Sequence, residues 1–199
     1  MVGSRGVLRS VALAAVALAL VACEDAPPPR QFAEPSYAHL GTIRLDVGQV
    51  DVVWQYVLPF TAPNVEHQFP TTPGKAAERW ARDRLQPAGQ GGRAKFIIKE
   101  ASVIETPLAK SGGLTGLLTT DQEFRYDAVL EVAIEARDGT GTREGSASAR
   151  VTRIHTVREG LALNDLEQEW HLLTEALIKE MNAELEKNIR ERMAPLLVF

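Results

Sequence analysis

Between Phe124 and Ala136 the chain alternates apolar and polar side chains. Phe124, Tyr126, Ala128, Leu130, Val132 and Ile134 hold every even position, with Arg125, Asp127, Glu131 and Glu135 opposite. Successive side chains on a strand point to opposite faces, so this run is one strand with an apolar face and a wet face. A strand this long cannot leave its apolar face in water. Something else in the chain must cover it, and that requirement excludes most alternatives to a layered domain.

The flanking segments supply the partners. Asp138-Gly139-Thr140-Gly141 reads as a turn, after which Ser146 to Val157 returns as an antiparallel strand. Ala94 to Glu105 is strand-like around Phe96, Ile97, Ile98, Val103 and Ile104. From Leu40 to Val57, Ile43, Leu45 and Val47 share one parity, and Val50, Val52, Trp54 and Tyr56 share the other. The switch falls at Gly48-Gln49, where a bulge or tight turn would restore one face.

Two helices are available as the cover. Thr72 caps the first, with Pro73 at its first position, and Ala77, Trp80, Ala81 and Leu85 form its apolar stripe. Glu78, Arg79, Arg82 and Asp83 take the other faces, and Pro87 and Gly89 stop it. Asn164 reads as the cap of the second, with Glu167 completing a capping-box-like pair. Its stripe is Leu166, Trp170, Leu173, Leu177, Met181, Leu185 and Ile189, while Glu175/Lys179 and Glu186/Arg190 pair on the wet side. Pro195 ends a helix of roughly 43 Å. The expected fold is α+β, a four-stranded, mainly antiparallel sheet with two helices on one face, in the order β-α-β-β-β-α. The crossover through the first helix is long enough to make one parallel pair.

The N-terminal segment has a different character. Arg5 and Arg9 stand without an acid in the first ten residues, and Val11 to Ala22 is unbroken apolar sequence. Twelve residues are too few for a helical span, which needs about 20, so the stretch matches a secretory signal peptide over residues 1–22. Leu20-Val21-Ala22-Cys23 at its end resembles the lipobox of bacterial lipoproteins. That resemblance implies cleavage before Cys23 and a diacylglyceryl thioether on its sulfur; the plainer alternative is an ordinary signal peptide followed by a chance Cys. Glu24 to Arg30, with Pro27, Pro28 and Pro29, favours extended geometry, and residues 23–38 read as a lipidated tether to a single domain over 39–199. A proline-rich partner ligand is the alternative reading of that tether. Family retention rules place Asp after the lipidated Cys for the inner membrane. Glu24 stands there, which favours an outer-membrane location facing the periplasm.

Residues 23–199 carry 20 basic and 26 acidic side chains, a formal charge of −6. A mildly acidic surface argues against nucleic acid and against a polybasic membrane patch. Cys23 is the sole cysteine, so an intramolecular disulfide is excluded and stability must come from packing.

Pro63-Asn64-Val65-Glu66-His67-Gln68-Phe69-Pro70, Glu78 to Leu85 and Phe124 to Ala128 resemble segments of a family of uncharacterised proteobacterial lipoproteins, which lends no activity. In element order alone, the chain is similar to the lipoprotein that plugs the lipopolysaccharide translocon and to auxiliary lipoproteins of ABC-type lipid transporters. That likeness carries no residue role across.

Motifs for chemistry are lacking. There is no Gly-x-Ser-x-Gly, no phosphate-binding glycine pattern and no paired His or Cys/His spacing, so no catalytic residue, cofactor or metal is expected. Glu167, His171 and Glu175 stack at helical spacing, which ordinary helix pairing explains better than a bound ion. Glu66-His67 reads more simply as a capped turn than as a binding point. Pro107 to Gln122 is a long loop with Gly112, Gly113 and Gly116, and it displays Leu108, Leu114, Leu117 and Leu118. Leu114, Leu117 and Leu118 are the candidate contact with a protein partner of the envelope, unless they fold back to cap the core. Three function classes follow: a non-enzymatic envelope lipoprotein that binds or stabilises a partner in transport or assembly, a ligand-binding lipoprotein with an apolar pocket between sheet and helices, and an anchored hydrolase.

Overall fold

The computed structural model describes residues 32–109 and 122–199. The alternating run lies in strand β5 (Gln122–Asp138), the third strand of a four-stranded sheet ordered β2 (Val50–Trp54), β4 (Gly92–Pro107), β5 and β6 (Glu144–Arg158). The β4–β5 and β5–β6 pairs are antiparallel, and β2 runs parallel to β4 with Val50 opposite Ala94. Helix α1 (Pro73–Arg84) makes the crossover, and helix α2 (Leu163–Arg192) follows β6. This is the expected α+β sheet with two covering helices.

Both helices lie on the face that carries Phe96, Tyr126, Leu130, Val132 and Ile134. Trp80 of α1 packs on Phe96 with ring centroids 5.7 Å apart, and Trp170 of α2 meets Tyr126 edge-on at 6.2 Å. Trp170 also stacks on Phe69 at 4.9 Å. Trp80, Phe96, Tyr126, Leu177, Met181, Leu185 and Ile189 are all fully buried, so the space between sheet and helices is filled by large side chains. The opposite face of the sheet is charged. Arg150 of β6 bonds Glu100 at 2.7 Å and also reaches Glu131, while Ile97 and Ala133 lie nearly buried beside them.

A bulge at Lys99 lets β4 serve one core. Ile98 pairs with Val132 and Glu100 with Glu131, leaving Lys99 as the extra residue. Phe96 and Ile98 therefore point inward before the bulge, and Ala101 and Val103 after it. Without the slip, Val103 would face water.

Two expectations need correction. The segment from Leu40 to Val57 is not one strand with a local kink. It divides into β1 (Ile43–Leu45), which pairs in parallel with β3 (Leu85–Pro87) in a separate two-stranded sheet, and β2 in the main sheet. The C-terminal segment takes the other side of β1, since Val198 N–H donates to Arg44 and Asp46 N–H to Leu196. Ile43, Leu45 and Val47 are buried there as a second patch, so both parities are satisfied by two sheets and not by one face. The second correction concerns the start of α2. Ala162 occupies the N-cap position, without a side-chain cap bond, and Asn164 and Glu167 lie inside the helix. Thr72, by contrast, caps α1 as its position suggests, its Oγ1 accepting from Lys75 N–H at 3.2 Å.

Phe32–Phe199 forms one compact unit, and contacts with the helices start before residue 39. Tyr37 N–H donates to the Asp83 carboxylate at 2.8 Å. Burial, together with the charges of Glu175 and Asp83, pushes the Tyr37 phenol up to about 12.

Candidate interaction surface

Cys23, Leu114, Leu117 and Leu118 lie outside the described residues. Among the described residues no helix is long and apolar enough to cross a membrane, and no group of His, Cys, Asp or Glu is arranged to hold a metal ion.

The polar candidates from the sequence are structural. Glu66 is wholly buried in a short 3-10 turn (Glu66–Gln68), where it accepts from Tyr56 O–H at 2.5 Å and from Val103 N–H at 3.1 Å. It thereby ties the loop before α1 to strand β4. Burial raises the Tyr56 phenol, and the Glu66 hydrogen bond and charge raise it further. Tyr126 behaves alike, with burial as the main cause and its bond to Glu105 at 2.8 Å as the second. His171 faces Glu175 at 3.4 Å, an ordinary helix pair, with the Phe32 ring against its imidazole at 5.1 Å. His155 of β6 bonds Glu169 of α2 at 2.8 Å, which pins the helix over the edge strand.

Three grooves open on the surface of the described residues. An open groove of about 650 Å³ on the charged sheet face is lined by Arg93, Lys95, Glu135 and Arg137 among others. A second, of about 490 Å³, lies where Phe32 and Pro35 meet the start of α1, and a third, of about 240 Å³, lies between α2 and the C-terminal segment. None of these three opens between the sheet and the helices.

One end of the domain is different from the rest. There β4 and β6 finish, β5 and α2 begin, and Pro63 to Val65 of the loop between β2 and α1 run beside Val103 to Glu105 of β4. We refer to it as the upper end. Phe60 (69 % exposed) stands on that loop, Leu163 starts α2, and Ile104 lies near the end of β4; Val57 (82 % exposed) follows Tyr56, whose N–H bonds Ile98 at the middle of β4. Phe60 also has φ of 53°, a left-handed conformation disfavoured for a bulky residue. Its ring rests against the His67 imidazole at 5.6 Å, and the rest projects outward. Phe32 packs farther along, on His171 about two turns into α2. Periodicity does not reveal this patch, because the Pro-rich loop has none. The apolar run Val57-Leu58-Pro59-Phe60 is its one signal in the sequence, since loops normally place polar residues in water.

Architecture thus defines the class: a small α+β domain of a four-stranded sheet covered by two helices, with a two-stranded sheet beside it. No protein-family model matches the chain, and no curated protein matches it. Among solved structures it is similar to rare lipoprotein B from Shewanella oneidensis, at 13% identity and a TM-score of 0.36, over 70% of this chain and 92% of that one. It is also similar to a PelC dodecamer from Paraburkholderia phytofirmans, at 13% identity and a TM-score of 0.20, over 73% of this chain and 94% of that one. Likenesses this distant bear on no residue, activity or partner.

Proposed function

We propose that the chain is a membrane-anchored, periplasm-facing lipoprotein without enzymatic activity that binds or stabilises a protein partner in envelope transport or assembly. The observation that carries this reading is Leu20-Val21-Ala22-Cys23, at the end of an apolar run preceded by Arg5 and Arg9. Lipid on Cys23 is the attachment, and Glu24 favours the outer membrane. The lack of a nucleophile motif in the sequence supports a binding role over a hydrolytic one. Leu114, Leu117 and Leu118 are the proposed partner contact, on the strength of three leucines in a glycine-rich loop. A ligand pocket between sheet and helices is the weaker reading, because Trp80, Phe96, Tyr126 and Trp170 fill that space.

The test is Cys23→Ala. Metabolically supplied fatty acid should label the wild-type chain and not the variant, and only the wild type should sediment with membranes. Labelling of the variant, or a freely soluble wild type, would overturn the anchor. For the partner, changing Leu114, Leu117 and Leu118 to Ser should abolish copurification of an envelope protein with little loss of thermal stability. A large stability loss with the partner retained would return them to the core.

A further inference from the structure

We propose that β6 is the surface on which two copies of this chain pair, edge to edge and antiparallel about Val151, joining their four-stranded sheets into one.

The first observation is an open edge. The sheet has two edges, β2 with five residues and β6 with 15. Backbone groups of an antiparallel strand point alternately toward and away from a neighbour. Asp138 N–H donates to the Arg143 carbonyl, and the register continues from that pair through Ala136–Gly145 to Phe124–Val157. The odd residues of β6 therefore bond β5, and the even residues from Ser146 to Thr156 turn their N–H and C=O groups outward. Ser148 shows this directly, for its carbonyl accepts from Asn188 Nδ2 of α2 at 2.7 Å. Ser146, Ser148, Arg150, Thr152, Ile154 and Thr156 are all exposed, Ile154 at 62 %. Among the described residues no strand pairs with this edge. A long edge is ordinarily blunted by Pro, by Lys or by charges held out to solvent, and Glu144–Arg158 contains neither Pro nor Lys. Its central charges are drawn onto their own chain, Arg150 onto Glu100 and Glu131 and Arg153 onto Glu180.

A second copy is the occupant because the strand is complementary to itself. Two-fold pairing about Val151, the middle residue, overlaps all 15 residues and sets even residues opposite even ones, as the outward groups require. It places Glu144 opposite Arg158 of the second copy at both ends and Arg150 opposite Thr152, so no like charges stand directly opposed. Neighbouring centres fit less well. Thr152 at the centre puts Arg158 opposite Ser146, while Arg150 or Arg153 at the centre sets that arginine against itself. Arg158 forms no ion pair among the described residues, and Glu144 has only the exposed Arg137, at 2.7 Å. The axis stands normal to the sheet, which lays the two α2 helices side by side. Glu169 and Glu180 reach β6 from that flank of α2, and the small Ala176 and Ala183 share the flank by helical spacing, which permits close approach.

Native mass spectrometry of the full chain, sprayed from nonionic detergent with reductant over a concentration series, reads the association. Wild type should dimerise. Arg158→Glu and Glu144→Arg each oppose like charges at both ends and should weaken the dimer about tenfold or more. Mixed in equal amounts, the two variants should form a heterodimer in excess of the statistical proportion, since every opposed pair is then complementary again. Thr152→Pro removes an outward N–H and no bond to β5, and should give a monomer that melts close to wild type. If that variant melts early, the charge variants decide alone, because both positions are exposed. A wild type that stays monomeric, single charge variants that dimerise like wild type, or a mixture in statistical proportion, as association through any other surface would give, overturns the pairing.

Discussion

The guanidinium of Arg84, 2 % exposed at the end of α1, donates to the carboxylate of Glu186 on α2 at 2.9 Å. Arg84 also donates to Asn182 Oδ1 at 2.8 Å, which accepts from Trp80 Nε1 at 2.8 Å as well, and its charge lies 5.7 Å from the Trp80 ring centroid. The two helices are thus locked side by side over the sheet. Burial would raise the Glu186 carboxyl, but hydrogen bonds and charge from Arg190 and Arg84 hold it below its ordinary value. Glu186→Ala should cost about 3 kcal/mol, the low end for breaking a buried pair, because Glu186 is itself partly exposed while Arg84 would be stranded. Arg84→Met should cost distinctly less, since it removes the charge along with its partner's need. Urea denaturation of both variants checks this; equal losses would show that Arg84 is solvated after all.

Trp170 bridges Phe69 and Tyr126, joining the loop before α1 to the sheet. Trp170→Ala, in a chain lacking residues 1–23, should lose about 3–5 kcal/mol through the cavity it leaves. The melting temperature should fall on the order of 10 °C. A shift of one or two degrees would contradict the packing described.

Gly92 begins β4 at φ of +84°, and a Cβ there would lie 2.3 Å from the Arg137 carbonyl oxygen. Gly92→Ala should therefore cost about 2 kcal/mol or more, strain and clash together. Gly141, at φ of +72° with open space around it, isolates the strain alone. Its Ala variant should lose about 1 kcal/mol. Thermal melts of the pair separate the two effects, and equal losses would remove the clash.

Asp138 organises the β5–β6 turn. Its carboxylate accepts from Thr140 Oγ1 at 2.8 Å, from Arg143 N–H at 3.2 Å and from Arg143 Nε at 3.0 Å. Burial alone would raise its pKa, but these bonds and the Arg143 charge hold it down at about 2, against an ordinary value of 3.8. A carboxyl lowered by folding stabilises the native state above its unfolded pKa and loses that contribution as pH falls through the folded one. The stability advantage of wild type over Asp138→Asn should be constant above about pH 5, shrink between about pH 4 and pH 2, and vanish below. Denaturant titrations across that range check it; an advantage that grew on acidification would reverse the sign.

Much of the fold was legible because periodicity is a local property. The even positions of β5, the stripe from Leu166 to Ile189 and the Thr72-Pro73 start each announce a face or an end without reference to the rest of the chain. The lipobox-like segment is legible for the same reason, being a contiguous signal. What the sequence by itself determined is therefore which segments have an apolar side and how many layers are needed to bury it.

Tertiary structure decided where those sides meet. The parity change at Gly48-Gln49 is visible in the chain, but only the positions of β3 and the C-terminal segment make it a change of sheet. Lys99 became a bulge because Val132 and Glu131 fix the register across β4. Arg84 and Glu66 look like any surface charge in sequence, and their burial depends on Asn182, Glu186, Tyr56 and Val103, between ten and 102 residues away. Exposure of Phe60 is likewise a property of the assembled end of the domain. A side chain's burial is set by neighbours distant in sequence, and no local pattern encodes them.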